Sequence, residues 1–236
     1  MIGFKQDIKV DIHDVDFNGV CRASSLIRYI QSAAQTQLTE SGLSYDTLKS
    51  QNRAFIISKI RLEFNETVRA YDELEAQTFP CISRGYSFIR CYGLYRGGVM
   101  IGRAISIWAL IDTEARKLVR VNDFNLPLPT YEAWDMELTY SKLPSPMEHV
   151  GQYTVCYSDI DQNMHINNTR YADIFANFLP LSGKRISAIT ISYVNDAKYK
   201  DVLDVYMANV DGVYYIRTVK PDGKTNAEVE IHVTEV

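Results

Sequence analysis

The chain has 236 residues, of which 46% are apolar and 23% charged, and its net charge is −4. This composition is typical of a globular protein with one large or two smaller domains. The charge excludes a global attraction to nucleic acid or to an anionic membrane. No stretch reaches the roughly 18 apolar residues of a membrane helix, and the opening MIGFKQDIKV lacks the pattern of a secretory signal. The four cysteines show no metal-ligand spacing, so we expect free thiols in a reducing, cytoplasmic compartment.

The first half of the chain predicts one long helix followed by a run of strands. Residues 4–12 alternate apolar and polar side chains, as a strand does, and a polar turn follows at 14–19. Residues 24–41 place apolar side chains on one helical face, and Gly42 is a typical helix end. Strands are expected at residues 55–64, 73–83, 87–95 and 99–111, with a hairpin turn at 96–98.

A proline-rich segment at residues 122–148 divides the chain, because it holds four of the seven prolines and proline removes a donor from a strand ladder. It is expected to be a linker, with a short helical turn near residues 131–136. The predicted domains are therefore residues 1–121 and 149–236, on either side of it. The second half predicts strands at residues 151–157, 186–193, 202–210, 212–220 and 225–233, with a hairpin turn at Asp222-Gly223.

The two halves repeat one another in element order and in residues. The turn DVDFN at 14–18 recurs as DIDQN at 159–163, an offset of 145, and the segment 64–74 recurs as 193–203, an offset of 129. Two matches in the same order, flanking the same elements, indicate an internal duplication. The fold expected from it is α+β, with two units that each pack a sheet against a long helix.

The stretch SDIDQNMHINNTRYADIF at 158–175 concentrates the polar side chains that could do chemistry. Its second part predicts a buried helix, with apolar side chains at helical spacing from Tyr171 to Phe178, a cap at Asn167 or Asn168, and an end before Pro180. The first copy has valine and Arg-Ala where the second has its histidine and Asn-Asn pair. The first unit is therefore expected to be structural, and the second to carry the site.

Metal binding and cysteine chemistry are poor explanations of this motif. The turn at 14–19 opens like a calcium loop, but the closing glutamate is replaced by Ser25, and by Arg170 in the second copy. The four histidines are too scattered for a zinc site. Cys156 lies nine residues before His165 and could approach it, although a buried structural thiol is the expected role.

Hydrolysis by an activated water is the chemistry that these residue types permit. It needs a base that titrates near neutrality, a donor for the developing oxyanion and a group that orients the base. His165, Asn163 and Asp161 suit these three tasks in that order. The alternative, that the polar residues only cap a turn and a helix, accounts for the pattern equally well.

The motif Asp161-x-Asn163-x-His165-x-Asn167-Asn168-x-x-Tyr171 resembles the active-site signature of acyl-acyl-carrier-protein thioesterases. The helix that ends before Gly42 and the strand at 105–112 are similar to that family as well, so the resemblance spans essentially the whole chain. It implies a tandem double hotdog, in which each unit is a curved antiparallel sheet wrapped around a long helix.

The resemblance also implies roles for individual residues. It places Asp161, Asn163 and His165 in the catalytic set, and the family's further glutamate falls on Asp196, which is shorter by one methylene. A cysteine of the plant members falls on Ala197, so a thiol nucleophile is excluded there. The residues expected to bind substrate are Asn167, Asn168 and Tyr193. No metal and no cofactor are implied.

The implied reaction is hydrolysis of a fatty acyl thioester on the phosphopantetheine arm of acyl carrier protein, with His165 oriented by Asp161 and the acyl chain in an apolar tunnel walled partly by the first unit. Basic candidates for docking the acidic carrier are Arg28, Lys59, Arg61 and Arg170. The sequence leaves open an acyl-CoA thioesterase or a dehydratase of the same fold, and a non-catalytic acyl-thioester-binding module. It also leaves open whether the protein is a monomer or a homodimer.

Overall fold

The structure, a computed structural model, describes residues 3–138 and 143–236. Its α-helices are α1 (Ala23–Glu40), α2 (Tyr45–Ser50) and α3 (Arg170–Ala176). The strands of the first half are β1 (Phe4–Lys9), β2 (Arg53–Phe64), β3 (Glu73–Pro80), β4 (Phe88–Arg96), β5 (Val99–Asp112) and β6 (Lys117–Val119). Those of the second half are β7 (Glu148–Thr154), β8 (Lys184–Tyr193), β9 (Val202–Val210), β10 (Val213–Val219) and β11 (Thr225–Glu235).

The chain forms two compact units that are not continuous in sequence. The first comprises the described chain up to Val10 together with Ile27–Leu62 and Tyr71–Leu138. The second comprises Asp11–Leu26, Glu63–Ala70 and the described chain from residue 143 onwards. The domain limits at residues 121 and 149 stay a prediction. Within the described residues, no helix combines the length and the apolar character needed to cross a bilayer.

The first unit joins its strands in the order β1-β3-β4-β5-β2, with β6 beside β5. Side chains on β3 alternate, so that Leu74, Ala76 and Thr78 are buried, as expected for a strand with one covered face. The apolar stripe of α1 is buried at helical spacing, and Gly42 follows the helix with a φ of +86°. Arg96 pairs with Val99 across the two-glycine turn, so the predicted hairpin is confirmed.

Part of the proline-rich segment packs against the sheet of the first unit. Tyr131 forms a parallel bridge with Cys81, and the rings of Tyr131 and Trp134 each meet the ring of Phe79 edge to face. Residues 131–136 contain a single bridge and a bend but no helical turn, so the helical turn predicted there is wrong, because the aromatic side chains are held on the sheet instead. Residues 139–142 of the predicted linker lie outside the described part of the chain.

The second unit joins its strands in the order β8-β11-β10-β9-β7, and consecutive pairs in this order are antiparallel. Its core contains side chains with no more than 2% exposure from the four strands β8 to β11 and from α3. The helix predicted after the motif is present but short, with seven residues against the eighteen of α1. Its buried face consists of Tyr171, Ala172, Ile174 and Phe175.

The two polar turns repeat one another bond for bond. Asp16 N–H donates to the Val20 carbonyl at 2.8 Å. At the matching offset of 145, Asp161 N–H donates to the His165 carbonyl at 3.0 Å. Gly19 and Met164 occupy the same turn position, with φ of +70° and +65°. The duplication predicted from sequence therefore extends to the backbone hydrogen bonds.

The shared left-handed position gives a matched pair of stability predictions. Gly19→Ala should lower the free energy of unfolding by about 1 kcal/mol, because a Cβ strains this conformation. Met164→Gly should not lower it, because the Met164 side chain is largely exposed and glycine relieves the same strain. Urea unfolding of both variants checks this, and an equal loss in the two would contradict it.

Candidate functional site

A buried carboxylate holds the start of the motif. A 3₁₀ turn at Tyr157–Asp159 leaves Asp159 only 1% exposed. Its Oδ2 accepts bonds from the Tyr153 hydroxyl at 2.7 Å and from Cys156 N–H at 2.8 Å. The Arg170 guanidinium lies 3.7 Å from Oδ1. A buried carboxylate needs such partners, and they fix the place where the motif leaves β7.

The turn from Asp161 to His165 is closed by its own polar groups. The Asp161 carboxylate accepts a bond from Asn163 N–H at 2.8 Å, and Asn163 Nδ2 lies 3.5 Å from the same carboxylate. Met164 then takes the left-handed conformation, which is a strained one for a residue with a Cβ. The His165 carbonyl accepts a bond from Asp161 N–H, which closes the turn.

The imidazole of His165 meets a carboxylate from another part of the second unit. His165 Nε2 lies 2.9 Å from Asp196 Oδ2, and the two side chains are 41% and 50% exposed. A backbone bond sets this proximity, because Ile166 N–H donates to the Ala197 carbonyl at 3.1 Å. Each bonded residue directly follows one member of the pair, and both Ile166 and Ala197 are buried.

This pairing differs from the arrangement predicted from sequence. The predicted orienting partner of His165 was Asp161, but its carboxylate holds Asn163 and the turn, and Asp196 is the partner of the ring. The shorter side chain of aspartate is long enough here, because the backbone bond brings the two segments close. The first copy has Val20 and Thr67 at the matching offsets, so neither member of the pair is present there.

The three residues predicted to bind substrate make bonds within the second unit. The N-cap residue of α3 is Thr169, which makes no side-chain cap bond, so the predicted cap at Asn167 or Asn168 is wrong. Asn167 Oδ1 instead accepts bonds from the N–H and the hydroxyl of Thr169. The Tyr193 hydroxyl donates to the Asn168 carbonyl at 3.0 Å. These contacts shape the chain just after His165, and substrate binding by the three residues stays a prediction.

A buried polar network lies behind the histidine–carboxylate pair, and the sequence analysis missed its centre, Asn226. Its Nδ2 donates to the Tyr171 hydroxyl at 2.9 Å and to the Asn195 carbonyl at 2.6 Å, and its Oδ1 accepts from the Thr218 hydroxyl at 2.9 Å. Burial raises the pKa of Tyr171 to about 12, and the nearby Asp196 charge acts in the same direction. Burial also raises the pKa of Tyr193. An asparagine in a strand otherwise rich in β-branched residues was the available signal.

The other predicted groups have ordinary surroundings. Cys156 is exposed, so the expectation of a buried thiol is wrong, and its thiol points to the Thr154 carbonyl at 3.3 Å. Of the docking candidates, Lys59 is buried at 1% exposure and cannot meet a partner as a surface charge. Arg170 is paired with Asp159 and Asp173. Residues 3–138 and 143–236 contain no group of three side chains that could hold a metal ion.

Two profiles of one family match the sequence over most of its length. "Acyl-ACP thioesterase N-terminal domain" matches residues 2–125, and "Acyl-ACP thioesterase C-terminal domain" matches residues 144–235. The oleoyl-acyl carrier protein thioesterase 2 of Arabidopsis thaliana is 22% identical over 226 residues, which are 85% of this chain and 61% of the relative. The corresponding Coriandrum sativum protein is 22% identical over 230 residues, covering 86% and 62%. The chain thus spans about three fifths of these curated relatives.

Solved structures agree in fold. An acyl-ACP thioesterase from Bacteroides thetaiotaomicron superposes with a TM-score of 0.81 at 22% identity, over 98% of this chain and 97% of that one. The 12:0-ACP thioesterase from Umbellularia californica superposes with a TM-score of 0.83 at 15% identity, over 99% and 96%. Two copies of a sheet-and-helix arrangement, superposing on these structures, define an α+β double hotdog, as predicted. The His165–Asp196 pair belongs to the second copy, because the first has Val20 and Thr67 at the matching positions. The chain belongs to the acyl-ACP thioesterase family.

The buried phenol of Tyr171 predicts a loss of stability in alkali. Because its folded pKa of about 12 lies above the unfolded value near 10, its contribution is fully present below pH 10 and is lost as the pH rises towards 12. The loss should be about 2–3 kcal/mol. Urea unfolding between pH 8 and 12 should show a shallower decline in Tyr171→Phe than in the wild type. Tyr157→Phe, which removes a phenol that is 86% exposed, should follow the wild type, and identical declines in all three proteins would contradict the assignment.

Proposed function

We propose that this protein hydrolyses a fatty acyl thioester carried on acyl carrier protein and releases the free fatty acid. The proposal rests on the 2.9 Å contact between His165 and Asp196. It is supported by membership of a family whose description names the acyl-ACP thioester, and by the names of the plant relatives, which are acyl carrier protein thioesterases.

The contact supports the assignment of one ring nitrogen as the base in this proposal. A carboxylate can only accept a hydrogen bond, so His165 Nε2 carries the proton that faces Asp196 and Nδ1 is left unprotonated. Nδ1 is then the atom that takes a proton from the attacking water. Asp196 holds the ring in this tautomer and stabilises the imidazolium that forms.

The reaction then follows the usual course of acyl transfer to water. The water oxygen attacks the thioester carbonyl carbon while His165 Nδ1 takes its proton, and the carbonyl oxygen becomes an oxyanion. Asn163 is the proposed donor to that oxyanion, and Asp161 acts by holding Asn163 in place. When the tetrahedral intermediate collapses, the C–S bond breaks and the imidazolium returns its proton to the departing phosphopantetheine sulfur.

The remaining features of the proposal concern binding. Asn167, Asn168 and Tyr193 would line the entrance next to His165. The first copy of the turn, which lacks both the histidine and its carboxylate partner, has no catalytic role in this proposal. The reaction needs no cofactor, and the protein would act in the cytoplasm on a soluble carrier, as a monomer or as a homodimer.

Removing either member of the pair should abolish most of the activity. His165→Gln and Asp196→Asn should each lower kcat by about 10²- to 10⁴-fold, because general base catalysis is lost. The rate is measured as release of free thiol from acyl carriers of graded chain length. The same acyl groups on coenzyme A test whether the enzyme prefers the carrier-linked thioester.

Two comparisons make this result decisive. Unfolding curves should show that both variants keep the wild-type fold, because both side chains are substantially exposed. Near wild-type turnover in both variants would exclude the proposed site. A wild-type protein that binds acyl carriers and releases no thiol would instead indicate a binding module, and faster turnover of the coenzyme A substrates would indicate an acyl-CoA thioesterase.

The length of the Asp196 side chain gives a second prediction. Asp196→Glu should lower kcat by about tenfold, because the existing contact is already at hydrogen-bond distance and an added methylene displaces the ring or the carboxylate. Asp7→Glu, the same change at an exposed position on β1, serves as the control. A gain in kcat for Asp196→Glu would show that the site favours the longer side chain, contrary to the observed contact.

A further inference from the structure

The loop that carries Asp196 is held from behind by one residue of β11. Asn226 is completely buried. Its carbonyl accepts bonds from Val194 N–H at 3.0 Å and from Asn195 N–H at 2.9 Å. Its Nδ2 donates to the Asn195 carbonyl at 2.6 Å. Three hydrogen bonds therefore end on the two residues that directly precede Asp196.

The same side chain also holds the helix that follows His165. Asn226 Nδ2 donates its second hydrogen to the hydroxyl of Tyr171, which is 4% exposed on α3. Its Oδ1 accepts from the Thr218 hydroxyl, so every polar atom of the side chain has a partner. Buried and fully bonded amides of this kind specify a single arrangement of the elements they join.

We propose that Asn226 is a positioning residue for the His165–Asp196 pair. Its side chain joins the loop that carries Asp196 to α3, the helix that follows His165. Asn226 itself is buried, whereas the His165–Asp196 contact is exposed. The backbone bond between Ile166 and Ala197 brings the two segments together, and Asn226 fixes the direction in which the carboxylate leaves its loop. The role in turnover rests on the proposed function, whereas the effect on the pair does not.

A positioning residue differs from an ordinary core residue in one measurable way: the effect of its substitution on kcat requires Asp196 to be present. Asn226→Ala should lower kcat by about 10- to 100-fold, because small displacements at a reacting centre are costly, with KM for the acyl carrier within about twofold of wild type. In an Asp196→Ala background the same change should have no further effect on kcat, because there is no carboxylate left to direct. Equal losses in the two backgrounds, or an unchanged kcat, would overturn the inference.

Control variants address stability. Ile231→Ala removes a fully buried side chain from the same strand and should cost about 2–5 kcal/mol. Its kcat should stay within about twofold of wild type when it is assayed below its Tm, since an isoleucine side chain makes none of the hydrogen bonds of the network. Asn226→Ser, whose shorter side chain with a single hydroxyl cannot replace the three side-chain bonds of the amide, replaces the alanine variant if that protein does not fold, and is assayed in the same cycle.

A readout independent of turnover distinguishes the two proposals. The ¹⁵N signals of the His165 ring report the protonated Nε2 that faces Asp196, and they should change in Asn226→Ser as they do in Asp196→Ala. Ring signals identical to wild type would overturn the positioning role, whatever the activity. Full turnover in Asp196→Ala would overturn the proposed function, and the ring signals would still decide the role of Asn226.

Discussion

The site depends on one hydrogen bond between main-chain atoms, from Ile166 N–H to the Ala197 carbonyl. This bond joins a polar turn to the loop after β8, and it places the preceding residues, His165 and Asp196, side by side. Both bonded residues are buried, so the bond is shielded from competition with water and is costly to leave unmade. The exposed histidine–carboxylate contact is in this sense a consequence of a buried backbone contact.

The same bond occurs in the first copy of the repeat, where Cys21 N–H donates to the Val68 carbonyl at 2.8 Å. The scaffold that brings two side chains together is therefore present in both copies of the repeat, and only the second copy uses it for ionisable groups. This separates what the fold supplies from what the substituted residues supply. The fold brings the two segments close together. The reactive groups are the side chains of His165 and Asp196, and the amide of Asn226 orients the carboxylate in our proposal.

Much of the fold was predictable because it has local signals. The two-glycine hairpin, Gly42 at the end of α1 and the alternation along β3 are properties of short segments, and the structure has them. The paired turns were predictable because the duplication repeats the same residue pattern, which can be recognised however far apart the two copies lie in the sequence. The chain near Trp134 was mispredicted, because its conformation comes from aromatic packing on a sheet far away in sequence, which no local pattern encodes.

The site was predictable to a similar degree and for similar reasons. The turn supplied Asp161, Asn163 and His165 as a group, but their pairing depends on which strand ends meet. Asp196 was found only through a resemblance, and its contact with His165 depends on a long-range backbone bond. Asn226 has no motif of its own; its signal is an asparagine in a strand otherwise rich in β-branched residues, and the partners that give it a role come from distant parts of the chain.

The amide of Asn18 shows why the first copy of the turn, which lacks the histidine, would be hard to convert into a catalytic site. Its Nδ2 donates to the carbonyls of Leu181 and Lys184, and its Oδ1 accepts from Gly183 N–H. A histidine introduced in place of the buried Val20 would lack its partners. The Asn18 carboxamide already makes structural hydrogen bonds, and residue 67 is threonine where a carboxylate is required. The duplicated chain has thus specialised in a way that single substitutions cannot reverse.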